Sequence, residues 1–210
     1  MLDYGDLSLD SCDFAPHSPR RQSRCSRTVI VCIIDLVPII IGMPAGLKQS
    51  SAVVSIGFSV NESAVDTFTE QQIDLNLSPL DREVFVALAI NLDAETPDKT
   101  DDKTSQVRAA LSTTSATTMP SLQDANCLSR ITNTIVDTGG NAVSFVSQAL
   151  ETPPSTLEYI GIIATNDFFV SCQGTNNNGA KGVSGKLYGY RAVASADIYA
   201  ALVQSEVLSA

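Results

Sequence analysis

In two segments, 52–60 and 68–77, apolar side chains recur at every second position. In AVVSIGFSV (52–60), Ile56, Phe58 and Val60 alternate with Ser55, Gly57 and Ser59. In FTEQQIDLNL (68–77), Ile73, Leu75 and Leu77 face one way, and Asp74 and Asn76 the other. Successive side chains leave opposite faces of a strand, so this alternation predicts half-buried strands. EVFVALAINL (83–92) is apolar almost throughout. Its β-branched and aromatic residues (Val84, Phe85, Val86, Ile90) predict a central strand covered on both faces. QVRAALST (106–113) and AVSFVSQAL (142–150) continue the pattern, the latter through Val143 and Phe145. LQDANCLSRITNTIV (122–136) fits two templates: a helix capped by Asp124 with Cys127, Leu128, Ile131 and Ile135 on one face, or a strand over 130–136. The pattern favours a short helix entering a strand.

The densest order lies in residues 157–191. Apolar runs at 157–164 and 168–172 are separated by Thr165-Asn166-Asp167. A Gly- and Asn-rich loop follows, and then a third run at 186–193. These read as strands joined by turns, because Asn, Asp and Gly tolerate the positive φ that tight turns demand. The loop reads as the exposed tip between two core strands. Ser195 then caps a helix over 196–208, with Ile198 and Leu202 on one side and Tyr199, Val203 and Val207 beside them. Residues 157–210 are expected to form one packing unit. With about seven to nine strands and no β-α-β alternation, the expected fold is mainly β: an antiparallel β-sandwich, jelly-roll-like, with a C-terminal helix.

Composition adds limits. A chain of 210 residues that is 44% hydrophobic fits one domain with a real core. The formal net charge of −10 repels phosphate, so direct nucleic-acid binding by the body is not expected. Residues 1–42 differ from the rest. They hold Cys12, Cys25 and Cys32, the sole histidine His17, and half the arginines (Arg20, Arg21, Arg24, Arg27). They end in the apolar run TVIVCIIDLVPIIIG (28–42), which Asp35 and Pro38 interrupt. The favoured reading is that translation starts at Met43 and that 1–42 is upstream sequence read in frame. A cleaved signal or pro-segment and a membrane anchor are the alternatives. Residues 43–210 then form a single β-sandwich domain, with no membrane contact unless 28–42 is retained.

Chemistry is sparse. With the sole histidine outside the body, a Ser-His-Asp triad and a His-based metal site are excluded there. No catalytic residue and no cofactor is assigned. GAKGVSGK (179–186) has the wrong glycine spacing for a phosphate loop, has Leu187 where a Ser or Thr would hold magnesium, and leads into a strand. The acidic loop offers Asp93, Asp98, Asp101 and Asp102 as a weak calcium candidate, without the order of an EF-hand. Cys127 and Cys172 read as free thiols, or as a bridge if the protein is exported. Tyr188 and Tyr190 share one strand face and, with Asn177 and Gly179 in the loop, are candidate subunit contacts.

IGIIATNDFFV (160–170) and GKLYGYRA (185–192) resemble the small all-β coat proteins of environmental viruses. That resemblance implies a non-enzymatic capsid component of the virion whose partner is itself, as a homo-oligomer. The chain departs from many such proteins in having no basic arm after Met43. Two other readings stand beside it: a secreted or surface β-sandwich that binds carbohydrate or acts in adhesion, and a carboxylate-based hydrolase.

Overall fold

The computed structural model describes residues 45–148 and 158–208. The readings of residues 1–42 and of a start at Met43 lie outside these residues, as do the end of the run at 142–150 and the first position of the run at 157–164. Among the described residues the chain forms ten strands: β1 (Leu47–Gln49), β2 (Val54–Asn61), β3 (Thr69–Asp74), β4 (Glu83–Ala94), β5 (Thr104–Ser112), β6 (Cys127–Thr138), β7 (Asn141–Gln148), β8 (Gly161–Ile163), β9 (Asp167–Thr175) and β10 (Gly182–Ala194). A 3-10 turn at Pro79–Asp81 precedes β4, and helix α1 (Ala196–Leu208) closes the chain.

The strands form two antiparallel sheets. One runs β1-β10-β4-β8, with β2 also on β10; the other runs β3-β9-β5-β6-β7. β1 pairs residues 192–194 of β10 and β2 pairs residues 182–189, so the two lie end to end along one side of it. The pairs are nested in sequence: β2 with β10, β3 with β9, β4 with β8, β5 with β6. Successive pairs alternate between the sheets, which is a jelly roll. β7 is one strand more, added to β6 through the hairpin at Gly139-Gly140. Both glycines have positive φ (61° and 83°), the geometry of a two-residue turn that follows the twist of its strands.

Alternation explains the core. Phe58 and Val60 of β2, Phe85, Ala87, Ile90 and Leu92 of β4, and Leu187 of β10 face inward from the first sheet. Val107, Ala109 and Leu111 of β5, Ile131 of β6, and Phe168, Val170 and Cys172 of β9 meet them from the second. Phe58 and Phe168 meet edge to face at 5.9 Å and 71°, worth about 0.5–1.5 kcal/mol beyond burial. The 83–92 run is a strand covered on both faces, as its unbroken apolarity predicts. Its other face, with Val84 and Val86 beside Tyr190 and Ala192, is buried under Ile198, Tyr199, Leu202 and Val203 of α1.

Four expectations are corrected. First, residues 157–210 are not one unit. β8 and β10 belong to one sheet and β9 to the other, so Ala164–Asn166 carries the chain across the sandwich rather than round a hairpin. Second, no helix forms in 122–126; that segment is turns, and Asp124 accepts a hydrogen bond from Ser121 N at 2.6 Å. Third, β10 begins at Gly182, inside the segment read as loop. A side chain at Gly185 would meet the Phe58 ring at 2.7 Å and the Asn91 carbonyl, so glycine there serves close packing rather than a turn. Fourth, Val143 and Phe145 do not face the core; all of β7 is exposed.

Candidate functional site

The Asn-rich loop between β9 and β10 is tied to two neighbouring loops. Asn176 takes positive φ (57°), and its carbonyl accepts hydrogen bonds from Thr100 Oγ1 (2.7 Å) and Ser105 Oγ (3.0 Å). The next side chain then turns inward. Asn177 is buried; its Nδ2 donates to Gln106 O (2.9 Å), and its Oδ1 accepts from Asp98 N (3.0 Å). Its own N–H donates to Asp66 Oδ1 at 3.1 Å. Glu62, also buried, accepts from Gly174 N (2.6 Å) and Lys181 N (2.8 Å), so one carboxylate clamps both ends of the loop. A buried carboxylate is tolerated when its oxygens meet donors in this way.

Asp98 closes the arrangement. Its Oδ1 lies 2.7 Å from Lys181 Nζ, and its Oδ2 accepts from Asn178 N at 3.0 Å. The Lys181 hydrogen bond, then that of the Asn178 amide, holds the Asp98 carboxyl below its ordinary range. The loop is therefore a cross-linked end of the sandwich and not a free tip.

The structure divides the four candidate contact residues. Tyr188 and Tyr190 lie on the same face of β10, as their spacing predicts, but only Tyr188 is part-exposed. Tyr190 is 3% exposed and sits in the cluster beneath α1. Burial raises its phenol pKa, with smaller contributions from Glu158 and Tyr159. Gly179 has open space around it, whereas Asn177 is occupied within its own chain. Tyr188 and Gly179 are thus available to a neighbour, and Asn177 and Tyr190 face their own interior.

The four acidic candidates are not brought together. Asp93 lies on β4 opposite Ser184, Asp98 is paired with Lys181, and Asp101 is paired with Lys99 at 2.8 Å. Asp102 accepts from Gly139 N at 2.9 Å and donates its own N–H to Asp137 Oδ2 at 3.1 Å. Among the described residues no three His, Cys, Asp or Glu side chains converge as metal ligands. Sequence proximity misled here because two of the four carboxylates neutralise lysines instead of facing one another.

Cys127 and Cys172 are both free. They stand opposite Ser112 and Ala109 of β5, on strands either side of it. Two strand spacings and three residues along the strand separate them by more than 10 Å, beyond the ~7 Å that a disulfide spans. Burial, followed by the charges of Glu62 and Glu95, pushes the Cys172 thiol up to about 12, which leaves it unreactive.

The feature that sequence reasoning missed lies on the outer face of β6 and β7. A groove of about 420 Å³ runs there between Arg130, Thr132, Thr134, Leu122 and Phe145. Leu122 and Phe145 are 54% and 52% exposed, and Val143 and Val146 are each 63% exposed. The register of β7 on β6 puts Val143 and Phe145 on the outer face, opposite Val136 and Thr134, and Val146 on the inner face, opposite Asn133. Val146 is exposed there because the second sheet is five strands wide and the first only four, β1 and β2 sharing one side of β10, so β7 overhangs. The alternation in AVSFVSQ was the available signal, but alternation does not say whether a strand's apolar face meets a sheet or solvent.

No helix among the described residues is long and apolar enough to cross a membrane, which says nothing of strands. No protein-family model matches the chain, and no curated protein matches it in sequence. Among solved structures, a chain from Desmodium yellow mottle tymovirus is similar over 73% of this chain and 95% of its own, at 10% identity and a TM-score of 0.29. A chain from turnip yellow mosaic virus is similar over 70% of this chain and 98% of its own, at 11% identity and a TM-score of 0.23. Likenesses of this size carry no argument about fold or function.

Proposed function

We propose that this chain is a non-enzymatic structural protein that self-assembles, as a capsid component of a virion. One observation carries the reading: Val143 and Phe145 stand exposed on the outer face of the edge strand β7, with Leu122 exposed across the groove from Phe145. Large apolar side chains gathered at one place on a surface mark contact sites. Tyr188, part-exposed on β10, and Gly179, in the loop before it, offer further contact positions. The jelly roll is common in virus shells, but it also serves lectins, so that support is by analogy. The body is acidic and its genome contacts, if any, come from elsewhere in the particle.

A second reading is favoured by the same groove. Phe145 supplies an aromatic face, and Thr132 and Thr134 supply hydroxyl partners, a combination suited to a sugar in a surface binding module. Size-exclusion chromatography with light scattering, followed by negative-stain microscopy, separates the two. Self-assembly gives concentration-dependent oligomers and closed or tubular particles. A strict monomer at every concentration, with binding on a glycan array, overturns the structural role.

A further inference from the structure

We propose that β7 is completed by β7 of a second copy, paired antiparallel about a two-fold axis centred on Ser144. This rests on the self-assembly reading and names the surface that performs it.

Three observations carry it. β7 ends its sheet, and no strand among the described residues pairs with its outer side. Alternate residues of an edge strand point their N–H and C=O groups away from the sheet, so the middle of β7 offers backbone groups that no strand among the described residues takes up. All eight of its residues are exposed. Second, NAVSFVSQ contains no ionisable side chain, no proline and no bulge, which are the usual devices that keep edge strands apart. In a chain of net charge −10, a strand without ionisable side chains is a place where two copies approach without like-charge repulsion between the facing residues.

Third, the strand is complementary to itself in one register. Opposed residues in an antiparallel pair share a face, so a two-fold must pair positions of equal parity. Centred on Ser144, Val143 stands opposite Phe145 of the second copy, and Phe145 opposite its Val143, both on the outer face. On the inner face Val146 meets Ala142. No apolar side chain is left facing a polar one. Centred on Phe145, Val143 meets Ser147 and Val146 meets Ser144, which wastes both valines. The Ser144-centred pair joins two five-stranded sheets into one continuous sheet and makes the groove beside Phe145 continuous across the axis.

The test uses the full chain with Ser144→Cys, Ser147→Cys and Phe145→Lys. On mild oxidation, Ser144→Cys gives a covalent dimer on a non-reducing gel, because the axis places residue 144 within disulfide reach of its own copy. Ser147→Cys, which faces Asn141 of the second copy, gives no more dimer than the parent chain. Phe145→Lys leaves the circular dichroism spectrum and melting temperature of the monomer unchanged and weakens association about tenfold, through loss of two symmetry-related cross-strand pairs. If the parent assembles while Ser144→Cys fails to cross-link and Phe145→Lys assembles normally, the β7 pairing is overturned and self-assembly stands. If Ser147→Cys cross-links in place of Ser144→Cys, the register is overturned. A parent chain that is monomeric throughout overturns both readings and leaves β7 to a strand of a different protein.

Discussion

The second sheet has two edges, and they are built differently. β3 carries Glu70 and Asp74 within six residues. Glu70 is held by Ser115 Oγ at 2.6 Å and Ala116 N at 2.9 Å, and Gln72 is hydrogen-bonded to Asp167. Ser63 N donates to Thr69 Oγ1 at 2.9 Å, which ties the start of the strand to the preceding loop. Charge and local hydrogen bonds thus finish this edge within the chain. β7 has eight residues, none charged, and its three large side chains are exposed. The difference teaches that the fold needs β3 finished and leaves β7 open. The core beneath β3 includes Ile73 and Phe168, whereas β7 projects past the opposing sheet.

The sharpest way to break that contrast is to cut a phenylalanine on each side. Phe168→Ala, in the strand that β3 pairs with, removes a fully buried ring and is expected to cost about 3–5 kcal/mol in urea denaturation. Phe145→Ala, measured at concentrations where the chain is monomeric, is expected to stay within about 0.5 kcal/mol of the parent. Equal losses would show that β7 is part of the core after all.

A smaller effect tests the protected edge. Glu70→Val leaves Ala116 N without its partner and takes a charge off β3, for a loss of roughly 1–2 kcal/mol. It should also raise concentration-dependent light scattering, giving β3 some of the character of β7. No rise in scattering would mean that the charge is not what keeps this edge apart.

The smallest effect is a pH dependence that passes β7 by. Glu206 of α1 is buried and accepts from Ala164 N and Thr165 N, both at 3.0 Å. Burial raises its pKa above the ordinary 4.5, against the opposing pull of those two amides. With the folded pKa above the unfolded one, its contribution is fully present below about pH 4.5 and is lost as pH rises through the folded value. Asp98, lowered by Lys181, does the reverse: its contribution is present above pH 3.8 and is lost as pH falls through its folded value. Melting curves across pH 3–7 should therefore show Glu206→Gln flattening the loss on the neutral side, with no change in assembly, since β7 does not titrate. A Glu206→Gln profile parallel to the parent's would refute the assignment.

Strands were legible in the sequence where alternation was clean, as in 52–60 and 68–77, because the period of two is a property of the backbone. The nesting of the strands was not. Thr165-Asn166-Asp167 has the residues of a hairpin turn, yet the chain uses this stretch to change sheets, and local turn chemistry is the same for both. Gly182 and Gly185 looked like loop glycines because their reason, the close approach of Asn61, Asn91 and Phe58, lies far away in sequence. Asn177 carried a turn signal but no sign that its amide would reach Gln106 and Asp98. Of the contact surface, Val143 and Phe145 were read as strand residues. They point outward, opposite Val136 and Thr134 of β6, and which face of the strand meets the opposing sheet is fixed by that register and not by the strand's own alternation.

The nested pairing also bears on how the molecule is made. β10 is flanked by β2 on one side and β4 on the other, so the last strand of the described chain is an inner strand of the first sheet. During synthesis β2 and β4 emerge long before the strand that must lie between them. Their hydrogen-bonding edges and the Phe58 and Phe85 rings therefore wait for a partner far along the chain. Folding of this kind rests on contacts distant in sequence and belongs to the millisecond-to-second class, at about the slow end for single domains. The first sheet is committed to staying open until β10 has been made.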